Sequence, residues 1–161
     1  NGTGAGGSVT VTVGAGGNGG NGGAITLTTG NGGATSGNSG DLTLATGTVT
    51  SGQRGQILLN ARYQGQQGAD VASANDVTLG DGNYFDVTGA TQINTIATTG
   101  WRAGSVVTLQ FDSNPVIANA TAGTGAQILL NGTANFSTTA GSTLTLIYDG
   151  VTWREIARMT R

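Results

Sequence analysis

The first 61 residues repeat one pattern four times: a glycine, then a short run in which aliphatic and polar positions alternate. GSVTVTVG (7–14), GAITLTTG (23–30), GDLTLATG (40–47) and GQILLNA (55–61) open at Gly7, Gly23, Gly40 and Gly55, spaced 16, 17 and 15 residues apart. The aliphatic positions in each run are two apart: Val9 and Val11, Ile25 and Leu27, Leu42 and Leu44, Ile57 and Leu59. The residue between them is Thr in three of the four runs. Successive side chains of a strand point to opposite faces, so this alternation predicts short strands with one dry and one wet face. A fixed period of this length predicts a stacked or solenoidal array.

The dry face is narrow. Two aliphatic side chains return about 2 kcal/mol each on burial, whereas ordering the backbone of a repeat costs about 1–2 kcal/mol per residue. A single-chain β-helix would need apolar residues pointing inward from several walls of each coil, and the segments between the runs (GAGGNGGNGG, GNGGATSGNSG, TGTVTSGQRG) offer almost none. The missing apolar surface is therefore expected from other copies of the chain. Three chains about one axis form a closed array, which also removes exposed strand edges. The three-residue period of GGNGGNGG is expected to form an ordered, closely packed return loop rather than a flexible linker.

The pattern changes after residue 62. Of 31 glycines, 21 lie at or before Gly68, while all eight aromatic residues come after residue 62, and large aromatics fill cores that glycine-rich chains cannot build. Residues 1–62 read as a Gly-rich β-repeat shaft, 63–76 as a polar transition or collar, and 77–161 as a compact head. Head strands are predicted at 84–88, 92–97, 105–111, 116–119, 127–130, 135–138, 143–148 and 152–156, with Gly, Asn, Asp and Ser turns between them. Eight short strands predict a β-sandwich or jelly roll, so the chain as a whole is all-β. Asp149-Gly150 predicts a type I′ hairpin that brings Tyr148 and Trp153 together. QILLN occurs twice, at 56–60 and 127–131.

Composition removes several function classes. Only 9% of residues are charged and the net charge is −2, which leaves no electrostatic footprint for nucleic acid or an anionic membrane. Cysteine and histidine are absent, so neither a disulfide framework nor a thiolate metal site is available. No apolar run approaches the length of a membrane span. The chain opens at Asn1 without Met or a signal segment, and is read as a piece of a longer polypeptide.

A thin repetitive shaft followed by a β-rich head resembles the plan of viral fibres and tail spikes. Over roughly residues 90–161, GSVVTLQF and GSTLTLIYDGVTWREIARM resemble the C-terminal head domains of bacteriophage tail-fibre and other virion structural proteins. The resemblance implies a homotrimer on the virion surface that attaches to a bacterial cell-surface glycan or protein receptor. It also implies contact with other virion proteins through a part preceding Asn1. The rival reading is a segment of a bacterial secreted adhesin, in which similar repeats build a single-chain β-helix. A polysaccharide-cleaving spike is a third.

No catalytic residue, cofactor or metal is expected. With no His and no Cys, acid–base chemistry would fall to eight carboxylates, of which Asp81 with Asp86, or Asp112, is the pairing to weigh. Asp81-Gly82-Asn83 and Asp149-Gly150 read more simply as turns, and Gly80-Asp81-Gly82-Asn83 holds too few carboxylates for Ca²⁺. Ligand contact is assigned to Trp101, whose setting between TTG and Arg102-Ala103-Gly104 is turn-like, to Arg102 next to it, and separately to Tyr84. The competing role for Trp101 is to cap the head's core. Trp153 is assigned to the hairpin core, and Arg154, Arg158 and Arg161 to ion pairs between subunits. The Thr pairs 10/12 and 26/28 resemble ice-binding faces, but Thr is also an ordinary strand residue.

Overall fold

The computed structural model describes residues 7–161, so the first six residues of the predicted shaft lie outside the described residues. The chain divides into two compact units, Asn1–Asn60 and Ala61–Arg161. No helix among the described residues is long and apolar enough to cross a membrane.

The second unit is all-β. Its strands are β1 (Val71–Ala72), β2 (Asp76–Val77), β3 (Tyr84–Thr88), β4 (Thr95–Ile96), β5 (Val106–Phe111), β6 (Val116–Ile117), β7 (Ala126–Leu129), β8 (Phe136–Ser137), β9 (Thr143–Tyr148) and β10 (Trp153–Met159). Eight of them form one sheet in the order β1-β3-β5-β9-β10-β7-β4-β2, and β6 pairs with β8 in a second. The edge strands of the large sheet, β1 and β2, are separated in the chain only by residues 73–75. Its two ends are therefore tied close together, and the sheet curls until it is nearly closed.

The connections differ from those of an antiparallel jelly roll. β1 with β3, β3 with β5, β2 with β4 and β7 with β10 pair parallel. Parallel neighbours need a crossover, and here the crossovers 73–83 and 89–105 carry β2 and β4 to the opposite end of the strand order. Only from β7 onward does the chain close the sheet antiparallel, through β4–β7, β5–β9 and β9–β10. Alternation of apolar and polar residues is blind to strand direction, which is why the sequence predicts the strands and not this order.

Alternation does decide the faces. Phe85 and Val87, Val107, Leu109 and Phe111, Ile128, Leu144 and Leu146, and Trp153 are wholly or almost wholly buried, while the residues between them on β3, β5, β7 and β9 stay half-exposed or exposed. Every predicted head strand is present: 84–88 and 143–148 match in full, four others are shorter, 127–130 is shifted by one residue, and the last extends to Met159. The stretch 63–76, read as a polar collar, lies in the second unit, supplies β1 and buries Val71. Tyr148 and Trp153 stand opposite each other with ring centroids 5.1 Å apart, as the hairpin predicts.

The hairpin turn itself is not type I′. Gly150 has φ +99°, but Asp149 does not adopt positive φ, and residues 149–152 form a four-residue loop. The Asp149 carboxylate holds that loop, accepting from the Val151 and Thr152 amides at 2.8 and 2.7 Å and from Arg154 Nε at 2.5 Å. The side chain replaces the backbone twist that a two-residue turn would supply.

The first unit contains no strand pairing among its described residues. Its chain returns on itself only at points. The Gly23 amide donates to Gly14 O (2.9 Å) and the Gly40 amide to Gly30 O (3.0 Å), which closes the necks of two side loops. Thr29 Oγ1 adds a bond to Gly40 O at 2.7 Å, and Arg54 Nε reaches Gly47 O at 3.3 Å across the third. Gly16, Gly32 and Gly33 within these loops have no room for a side chain. A Cβ on Gly16 would lie 2.1 Å from Gly20 O, and one on Gly32 would lie 2.2 Å from Gly37 O. Both glycine-rich returns are thus locally packed, the first in the way expected for GGNGGNGG. The aliphatic positions of all four runs remain exposed.

Candidate ligand-binding cleft

Within the second unit, two turns form a cleft of about 230 Å³ lined by Leu79, Gly80, Asp81, Gly82, Thr99, Gly100 and Trp101. The 79–82 wall is fixed from behind. The Gly68 amide donates to Tyr84 O and the Asn83 amide to Gln66 O, both at 2.8 Å, and a Cβ on Gly82 (φ +140°) would lie 2.6 Å from Gly68 N. The other wall is a tight turn in which the Trp101 amide donates to Thr98 O at 3.0 Å, with Gly100 at φ +84°. Glycine suits this position because positive φ is costly for residues bearing a Cβ.

Trp101 takes the core-capping position that the sequence offers and also borders the cleft. Its indole makes a T-shaped contact with the buried Trp153, with centroids 5.6 Å apart and planes at 76°, so the ring caps the core. The same side chain lines the cleft. Asp81 is exposed and places the only charge among the lining residues. Thr99, missed at the sequence level, brings a hydroxyl from the residue two before Trp101. The TTG that marks the turn was the available signal for it.

The other candidates lie elsewhere. Arg102 is exposed next to Trp101 but does not line the cleft; its amide lies 3.3 Å from Ser105 Oγ, and its carbonyl accepts from the Ser105 amide. Tyr84 stands on β3 among the residues that alternate with the buried Phe85 and Val87, with its hydroxyl donating to Gln110 Oε1 at 2.7 Å. Partial burial first, and then the neighbouring Asp86 and Asp112 carboxylates, push the Tyr84 phenol above its usual range. Gln67 Nε2 donates to Asp86 Oδ2 at 3.0 Å, while Asp86 Oδ1 is buried without a partner.

Asp81 lines the cleft without Asp86 or Asp112. Retaining and inverting glycoside hydrolysis both use two flanking carboxyl groups, and the cleft lining supplies one. No group of three or more potential metal-ligating side chains occurs among the described residues.

The arginine assignments change. Arg154 pairs with Asp149, and Arg158 with Glu155 at 2.6 Å, both within the chain. A β-bulge between Glu155 and Ala157 shifts the register of β10, so that Arg158 lies opposite Leu144 and over the Phe136 ring at 4.9 Å. Unbroken alternation from Trp153 would put Arg158 on the outward face, and the extra residue of the bulge reverses that. Arg158 and Glu155 together also hold the backbone of Asn131, through Arg158 Nη2 to Asn131 O and the Asn131 amide to Glu155 Oε2.

Comparison of the chain with protein-family models, with curated proteins and with solved structures finds no match.

Proposed function

We propose that this chain is a fragment of a homotrimeric virion fibre or spike, with the first unit as shaft and the second as a β-sandwich-like head for attachment to a bacterial surface glycan or protein receptor. One observation carries the reading. The first unit exposes paired aliphatic side chains at a regular spacing, on backbone that forms no strand ladder among the described residues. Apolar surface and unpaired strand edges of that kind call for association, and identical runs in identical chains supply a matching partner at every repeat. The resemblance of residues 90–161 to fibre heads supports the virion assignment, and the cleft at Trp101 supports attachment.

A second reading, the β-helical adhesin, draws on the parallel pairing of β1, β3 and β5. Mass in solution separates the two. Light scattering on the purified chain, beside an unheated detergent gel, is expected to give a species of three chains. A folded monomer overturns the fibre reading in favour of the adhesin.

A further inference from the structure

We propose that the cleft between residues 79–82 and 99–101 binds one uncharged or amino sugar ring, stacked on the Trp101 indole and held through its hydroxyls by Asp81 and Thr99. The proposal rests on reading the second unit as an attachment head, and it names the ligand class of that head.

Size comes first. About 230 Å³ falls below the roughly 300–1,000 Å³ typical of sites for drug-sized molecules. The space suits a single ring with its neighbours left in solvent. The surface is amphipathic in the way a pyranose is. An indole supplies an apolar face, and a sugar ring presents C–H groups on its faces and hydroxyls around its rim.

The aromatic wall is also preorganised. Trp101 is held edge-on by Trp153, which is fully buried, so its orientation is set before a ligand arrives. Gly82 is wedged against Gly68, which fixes the opposite wall. Ordering costs that would otherwise be subtracted from binding have already been met by folding.

Charge then selects among sugars. Asp81 is the only ionisable group lining the cleft. An ionised carboxylate is an acceptor only, suited to hydroxyl and ammonium donors and repelled by another anion. Uronic and sialic acids and phosphorylated sugars are therefore excluded. The glycines keep the walls low. A Cβ on Gly80 or Gly100 would meet nothing within 4 Å, so both positions border open space and Gly80 does so without positive φ.

The test is a calorimetric titration of the full chain with methyl glucoside, methyl galactoside, N-acetylglucosamine, glucosamine and glucuronic acid. Tryptophan fluorescence reports on Trp101, the more exposed of the two indoles. At least one neutral or amino sugar is expected to bind, and glucuronic acid is not. Trp101→Ala is expected to lower affinity roughly tenfold or more. Gly80→Leu, which adds a side chain at the rim without touching the core, is expected to lower it similarly while the thermal transition stays in place. No binding by any neutral or amino sugar, equal binding of glucuronic acid, or binding that survives both substitutions would overturn the proposal. Light scattering on the same samples keeps the two readings apart. Three chains that bind no sugar overturn the cleft alone, and a monomer that binds sugar overturns the fibre alone.

Discussion

The same five residues, QILLN, occur once in each unit and meet opposite fates. In the first unit Ile57 and Leu59 are 53% and 68% exposed, and no strand pairs with them. In the second unit Ile128 and Leu130 are 0% and 6% exposed, and β7 is flanked by β4 on one side and β10 on the other. The Leu-Thr-Leu at 42–44 and at 144–146 repeats the contrast, with its leucines exposed in one unit and fully buried in the other. Local pattern sets which face is apolar, and neighbours decide whether that face is buried. The second unit has its neighbours in the chain. The first unit has none among its described residues.

The sharpest way to break this comparison is one substitution made in both copies. Ile128→Asn buries an amide without partners and removes apolar volume from the core, at an expected cost of about 3–5 kcal/mol. The thermal transition of the second unit should fall steeply or vanish. Ile57→Asn should leave that transition in place and instead reduce the mass of the assembly seen by light scattering. Equal loss of the transition in both variants would mean that the first unit's aliphatic face is already satisfied within one chain.

Much of the second unit was legible because its long strands are half-buried. β3, β5 and β9 alternate cleanly, and period-two patterning finds such strands. β1 and β2 escaped because each carries a single valine among small and polar residues, so neither presents an alternation to count. Their placement depends instead on polar contacts distant in sequence. The Thr91 amide donates to Ser73 Oγ at 3.0 Å, and Asp76 Oδ1 accepts from Thr95 Oγ1 and from the Thr124 amide. The candidate site divides in the same way. Trp101 was legible from its glycine-flanked turn, whereas its pairing with Asp81 arises where two turns meet. Tyr84 was chosen on residue type alone, and its position next to the buried Phe85 puts it on the outward face of β3.

Glycine gives a second, smaller contrast. At Gly68 a Cβ would lie 2.1 Å from Phe85 Cε1 and 2.8 Å from Asp81 O, so Gly68→Ala must push a buried ring or the 79–82 turn. Overpacking of that kind costs about 1–3 kcal/mol, and the second unit's transition should fall accordingly. Gly16→Ala meets backbone just as closely, but only inside its own side loop. It should leave the second unit unchanged and weaken assembly. Gly47→Ala, where a Cβ meets nothing within 4 Å, should do neither. An assembly defect in Gly47→Ala equal to that in Gly16→Ala would show that loop packing is not what the first unit uses to set its repeat.

Acid should produce the smallest effect. Asp149 is held below the usual carboxylate range, chiefly by the Thr152 amide and then by Arg154 and the Val151 amide. Asp76 is lowered by Thr95 Oγ1 first and the Thr124 amide second. A carboxyl group whose pKa is lower folded than unfolded binds fewer protons in the folded state. Its contribution is therefore present above the ordinary value of 3.8 and is lost as pH falls below it. Both groups are solvent-exposed, so screening keeps the contribution modest. Thermal unfolding followed from pH 7 to pH 2 should show the second unit's transition falling below about pH 4. Asp76→Asn combined with Asp149→Asn should lower the transition at pH 7 and flatten that fall, because the groups that titrate between the two states have been removed. An acid slope unchanged in the double variant would place the sensitivity on other carboxylates, and the two loops that these residues pin would then owe their shape to glycine and backbone geometry rather than to charge.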